Sequence, residues 1–187
     1  MGRHEEAIAQ ATCAKELDPL SLIVNTALGA AFYFANRYVE AIEQYKSTLD
    51  LDPKFQRAYY WLGFAHLQLA EYKEAIAAFE EAIILSSDSP ENRAALGYAY
   101  AIAGKHSEAE KILIELKKLS SRRYISPMDI AMIYVGLERK EQSPEWLDKA
   151  FKVRTDGIQW LKVHPVFYPL KSNPCFQNLI RQMNIPE

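Results

Sequence analysis

Residues 56–89 read QRAYYWLGFAHLQLAEYKEAIAAFEEAIILSSDS. Within them Leu62-Gly63, Tyr72, Ala75, Phe79 and Ala82 form a spaced set. The set stands one period earlier as Leu28-Gly29, Tyr38, Ala41, Tyr45 and Thr48. It stands one period later as Leu96-Gly97, His106, Ala109, Leu113 and Leu116. The interval, about 34 residues each time, marks a helix–turn–helix repeat array. Glycine and alanine recur where two helices would cross, and Tyr45, Phe79 and Leu113 recur where bulk must fill the space between repeats. One helix pair cannot bury its apolar face alone, so stacked neighbours supply the core. The fold class this predicts is all-α.

The segment Trp61-Leu62-Gly63, Tyr72-Lys73-Glu74-Ala75-Ile76 and Phe79-Glu80-Glu81-Ala82 resembles a tetratricopeptide repeat. So does Leu28-Gly29, Tyr38-Val39-Glu40-Ala41-Ile42, Tyr45 and the closing Leu51-Asp52-Pro53. The resemblance covers most of Gly2 to about Val153. It implies a right-handed α-solenoid that binds peptides or other proteins.

Composition agrees with helix and excludes several kinds of work. The chain has 187 residues, about half of them hydrophobic, which is enough for a sizeable core. Only seven are glycine, and alternating strand-like runs are lacking. The net charge of −2 gives no polybasic nucleic-acid surface and no acidic tail. No apolar run approaches the ~18 residues of a membrane span. Neither nucleic acid nor membrane is therefore an expected partner. Cys13 and Cys175 are too few for a disulfide framework and fit a reducing compartment. The stretch Met1-Gly2-Arg3-His4-Glu5-Glu6 lacks a signal-peptide core, and Glu6 stands where a myristoylation pattern needs Ser or Thr. A cytoplasmic protein is expected.

The period divides the chain. Residues 1–20 read as the second helix of a truncated repeat, with Ala7, Ala11, Ala14 and Leu17 in one stripe and Asp18-Pro19 ending it. This predicts the C-terminal part of a longer protein. Residues 22–55, 56–89 and 90–123 are three repeats. Residues 124–154 are a degenerate fourth. It opens on Ser126-Pro127-Met128-Asp129, a capped helix start, with Ile130-Ala131 in place of Leu-Gly. Its partner helix must begin near Ser143, because Pro144 is tolerable only in a first turn. Residues 155–187 form a capping segment that ends in a helix from Asn173-Pro174, with Phe176, Leu179, Ile180 and Met183 on one stripe. From Ile125 through Trp160 to Leu179 the chain also resembles the endings of bacterial multidomain regulators.

No catalytic or metal constellation is readable, so no enzyme activity and no cofactor is expected. His4, His66, His106 and His164 are scattered, and the glycines fall singly on the repeat phase. His66 reads as an inward-packing histidine. The expected functional surface is a concave groove lined by the leading helix of each pair. Positions two before Leu-Gly, then four and seven further on, share one stripe, expected to be exposed. They are Thr26, Ala30 and Tyr33; Tyr60, Phe64 and Leu67; Ala94, Tyr98 and Ala101; Met128, Met132 and Val135. Such a groove is apolar and aromatic, and only Arg57 near it could hold a carboxylate. A protein or peptide segment is the expected occupant. A second copy in a homodimer, the chain's own tail or a small apolar ligand are the alternatives.

Overall fold

The computed structural model of the protein describes residues 3–139 and 141–183. Residues 1–2 and 184–187, the outer ends of the truncated repeat and of the capping segment, lie outside these, as does residue 140. The chain divides into two compact units, Met1–Asn92 and Arg93–Glu187.

The first unit holds α1 (His4–Leu17), α2 (Leu22–Phe34), α3 (Tyr38–Leu51), α4 (Gln56–Gln68) and α5 (Tyr72–Leu85). Each packs on the next, and the two leading helices α2 and α4 also touch. The second unit holds most of α6 (Pro90–Ile102), then α7 (His106–Leu119), α8 (Pro127–Gly136) and α9 (Ser143–Lys152). Two 3-10 turns, Ile158–Trp160 and Pro165–Leu170, lead to α10 (Pro174–Gln182). The second 3-10 turn packs on α8, and α10 packs on α9. The all-helical repeat fold expected from the sequence period is present.

The crossings are built on glycine. A Cβ on Gly29 would run into the Tyr45 ring, and one on Gly63 would lie 2.7 Å from the Phe79 ring. Tyr45 and Phe79 are fully buried. Each ring therefore lies against the glycine of its own repeat, where the sequence suggested filler between repeats. The third crossing differs again. Gly97 meets Ile133 and Ile112 rather than Leu113. Gly136, off the repeat phase, admits Tyr98 and Ala101 at 2.9 Å from its would-be Cβ.

The turns inside each pair keep the same phase. Asn36, Ala70, Gly104 and Glu138 all have positive φ, at 62°, 58°, 75° and 58°. They follow the leading helices, each one full period after the last. After each, the next amide closes a wide loop: Arg37 N–H to Phe32 O, Glu71 N–H to His66 O, Lys105 N–H to Tyr100 O and Arg139 N–H to Tyr134 O. This left-handed helix ending satisfies carbonyls that the helix leaves open. Glycine suits it best, so Ala70 and Glu138 carry a steric cost.

Helix starts follow the sequence signals. Ser126 Oγ accepts from Met128 N–H ahead of Pro127, and Asn173 Oδ1 accepts from Cys175 and Phe176 N–H ahead of Pro174. α9 begins at Ser143. In α1 the stripe is displaced: Ile8 is buried, while Ala7 and Leu17 are exposed. Among the described elements α2 is the main neighbour of α1, so only one narrow face is covered. A buried polar chain reinforces that contact. Lys15 Nζ donates to Gln44 Oε1, Gln44 Nε2 donates to Asn25 Oδ1, and Asn25 Nδ2 donates to Pro19 and Ser21 carbonyls. Nothing in the period pointed to it.

Gly63→Ala should lower stability by roughly 1–3 kcal/mol through overpacking on Phe79. Alanine is otherwise the better helix former by about 1 kcal/mol, so a raised thermal midpoint would disprove the ring-on-glycine crossing. Ala70→Gly should act the other way and add about 0.5–1 kcal/mol by relieving the left-handed turn. Chemical denaturation of both variants measures these signs directly.

Candidate functional site

The stripe expected to be exposed is mostly inside the protein. Tyr33 and Phe64 are 0% exposed, and Tyr60, Leu67, Tyr98 and Met132 are also buried. Thr26, Ala94, Ala101 and Val135 are buried with them, while Ala30 and Met128 keep partial access. The reason is rotational. One residue turns a helix by about 100°, so a face placed one position off becomes core.

In the first unit the rings form a cluster of tilted and edge-to-face pairs. Tyr33 lies 5.7 Å from Trp61, Tyr60 lies 5.1 Å from Phe64, and Phe64 lies 5.1 Å from Phe79. Edge-to-face pairs at such spacings add specific attraction to area burial. Tyr33, Tyr60 and Phe64 thus serve the crossing. In the second unit Tyr98 lies against Gly136, and Met128 approaches Gly157 with its Cε 3.6 Å from a would-be Cβ.

The accessible face of the leading helices in the first unit lies one residue over. On α2 it runs Ile23, Ala27, Ala30 and Phe34, and on α4 it runs Arg57, Trp61 and Gln68. Ile23 is 75% exposed. Phe34 and Trp61 are partly exposed and touch edge to face at 5.8 Å. The Arg57 guanidinium lies 5.3 Å from the Tyr60 ring centre and 6.0 Å from that of Trp61. Its Nη1 is 3.2 Å from Glu91 Oε1. Glu91 stands one full period after Arg57, so the repeat itself brings the pair together. The positive charge is answered within the protein, and Arg57 is not a free carboxylate anchor. The signal that was readable but unused is the first position of this stripe: Ile23, Arg57 and Glu91 share one phase, and only the first is apolar.

The remaining polar groups serve structure. His66 is buried on α4, and its Nδ1 sits 2.5 Å from Glu71 Oε2 at the start of α5. Burial pushes the Tyr45 phenol well above its usual range, and its hydroxyl has no hydrogen-bond partner among the described residues. A cleft of about 370 Å³ between α9 and α10 is lined by Glu141, Glu145, Asp148, Asn173, Cys175 and Asn178, among others. Among the described residues no group of three His, Cys, Asp or Glu could hold a metal ion. None of the described helices is long and apolar enough to cross a membrane.

Residues 26–90 match the tetratricopeptide repeat family model. None of the curated proteins is a match to this sequence. Among solved structures, TTC0263, a thermophilic tetratricopeptide repeat protein of Thermus thermophilus, is similar over 98% of this chain and 92% of its own, with a TM-score of 0.66 at 16% identity. A tetratricopeptide repeat protein from Parabacteroides merdae ATCC 43184 is similar over 81% of this chain, with a TM-score of 0.65 at 20% identity. This chain spans 59% of that protein's length. YrrB, a tetratricopeptide repeat protein with an unusual peptide-binding site, is similar over 94% of this chain and 91% of its own, with a TM-score of 0.53 at 17% identity. At these identities the likeness is one of fold.

One titration in the second unit is open to test. His164 is buried at the start of the 3-10 turn Pro165–Leu170, where Nδ1 accepts from Val166 N–H and the ring meets Phe167. Burial lowers its pKa from 6.5 to about 4. Between those values the unfolded chain binds a proton that the folded chain refuses. The contribution is therefore complete above about pH 6.5 and is lost as pH falls toward about 4, up to a limit of about 3 kcal/mol. Denaturant midpoints across that range should fall for wild type and flatten for His164→Asn, which keeps a capping acceptor. Equal slopes for both proteins would place the titration elsewhere.

Proposed function

Residues 26–90 match the tetratricopeptide repeat family and the chain shares its fold, and from that premise we propose that it is a protein-interaction scaffold whose first unit takes a partner segment on the Ile23–Trp61 face. The coarse role follows from the fold, whose repeats serve protein association. The finer reading rests on one observation: Ile23 is three-quarters exposed at the phase where the following repeats carry Arg57 and Glu91. An isoleucine held in water on the same face as partly exposed Phe34 and Trp61 gains by being covered. Full burial of such a side chain is worth about 1.5–3 kcal/mol.

The occupant that suits this face is an apolar, aromatic-bearing protein segment, laid down as a helix or an extended strip. The neutralised Arg57–Glu91 pair leaves little charge for an acidic tail to seek. YrrB, with its peptide-binding site, offers a parallel at the level of fold. The mechanism is burial of partner side chains on a preformed surface, with no chemical step. Tyr33, Tyr60 and Phe64 act beneath the surface, holding Trp61 in place rather than touching the partner.

Selection of displayed random peptides against the intact protein tests this. Enriched peptides should carry apolar residues at helical or alternating spacing. Ile23→Lys, a change at a solvent-exposed position, should weaken them about tenfold with an unchanged melting curve. Equal binding to both proteins, or enrichment of charged peptides, would remove this face as the site.

A further inference from the structure

The arginines of this chain mostly meet carboxylates. Arg3 pairs with Glu6, Arg37 with Glu40, Arg57 with Glu91, Arg93 with Glu115 and Arg139 with Glu110. Arg122, Arg123, Arg154 and Arg181 have no carboxylate partner among the described residues, and two of these stand side by side where α7 ends and the loop to α8 begins. Lys117, Lys118, Arg122 and Arg123 crowd into two turns' length of chain, and all are exposed. Among the described residues, none of Lys118, Arg122 and Arg123 has a carboxylate partner. Lys117 Nζ donates to the Tyr134 hydroxyl instead, at 3.3 Å. Ser120 and Ser121 turn their hydroxyls inward, donating to the carbonyls of Lys117 and Lys118. The turn is thus held by its own backbone while its charges face water. Tyr124 follows, 69% exposed, and its hydroxyl shares a 3.1 Å hydrogen bond with Thr155 Oγ1. That bond pins an aromatic ring open to solvent beside the cations.

Four like charges crowded into two turns' length of chain repel each other, and five other arginines of the chain show that carboxylate pairing was available elsewhere. We propose that the turn from Lys117 to Tyr124 is a docking site for a short acidic segment of a partner protein. Two guanidinium groups offer bidentate geometry to carboxylates. Tyr124 adds an apolar surface for the segment's side-chain stems. The size of the site selects against larger polyanions. Outside these four cations the chain carries six more acidic than basic side chains, so a nucleic acid or an anionic membrane would also meet net negative surface. A segment of a few acidic residues touches the turn alone. This surface lies in the second unit and is separate from the Ile23–Trp61 face, so the two can be tested independently.

Fluorescein-labelled deca-glutamate is the probe, followed by anisotropy at about 50 and 300 mM salt, where screening differs strongly. Wild type should bind at the lower salt and lose at least about tenfold at the higher. The paired variant Arg122→Glu/Arg123→Glu should lose at least about tenfold at low salt. The charge-matched control Lys46→Glu/Lys73→Glu, at exposed positions of the first unit, should bind within about twofold of wild type. Circular dichroism melts confirm that all three are folded. Absence of binding overturns the proposal, as does equal loss in the control. So does tighter retention of duplex DNA or phosphatidylserine vesicles through the same two arginines.

Discussion

An aromatic ring laid on a glycine sets the spacing of the first unit. Tyr45 covers Gly29 and Phe79 covers Gly63, each closer than any Cβ would allow. A side chain there would push the two helices of a pair apart by about its own thickness. The leading helix would then lose its contact with the next, because Tyr33 and Phe34 meet Trp61 across the same seam, where Tyr60, Phe64 and Phe79 interlock edge to face. Interiors are packed at crystal-like density, so a shift of one ring is felt by its neighbours. The close approach, more than any single hydrogen bond, is what the remaining contacts presuppose.

Polar groups in this core are few, and their partners are mostly visible. Asn92 donates to Ala82 O and Ser86 Oγ and accepts from Gln56, tying the end of α5 to the helix after it. Asn25 does similar work at the junction of α1, α2 and α3. A buried amide that is fully satisfied costs little, and losing one partner would leave the other stranded in a low-dielectric site. Such junctions specify which helix follows which, where an apolar contact would tolerate sliding.

The period made the helices readable. Tyr38–Leu51, Tyr72–Leu85 and His106–Leu119 begin and end where the pattern places them, because the apolar spacing and the turn between helices signal together. The same holds for Ser126-Pro127 and Asn173-Pro174, whose caps are chemical rather than statistical. The face of each leading helix was not readable from the same pattern. Tyr60 and Trp61 are neighbours of nearly equal apolarity, and only the position of the adjacent helix decides which is buried. A helix that touches its partner and the next leading helix needs apolar residues around most of its circumference, which blurs the stripe. Asn36 and Gly104 are residue types that suit positive φ, whereas Ala70 and Glu138 give no such signal, and there tertiary packing overrides local preference.

The positive-φ residues at 36, 70, 104 and 138 have a consequence for how such a chain can change length. Asn36 and Ala70 stand at the same count from the crossing glycine before them and to the ring after them, while at the later two Leu113 and Leu147 replace the ring and Ala131 the second glycine. Insertion of one residue in a leading helix would rotate everything beyond it by about 100°, carrying Phe79 off Gly63. Insertion of a whole period leaves Tyr45 on Gly29 and Phe79 on Gly63. The molecule is therefore quantised in length: it tolerates growth in full units and resists it in fractions, as a screw accepts only whole turns of its thread.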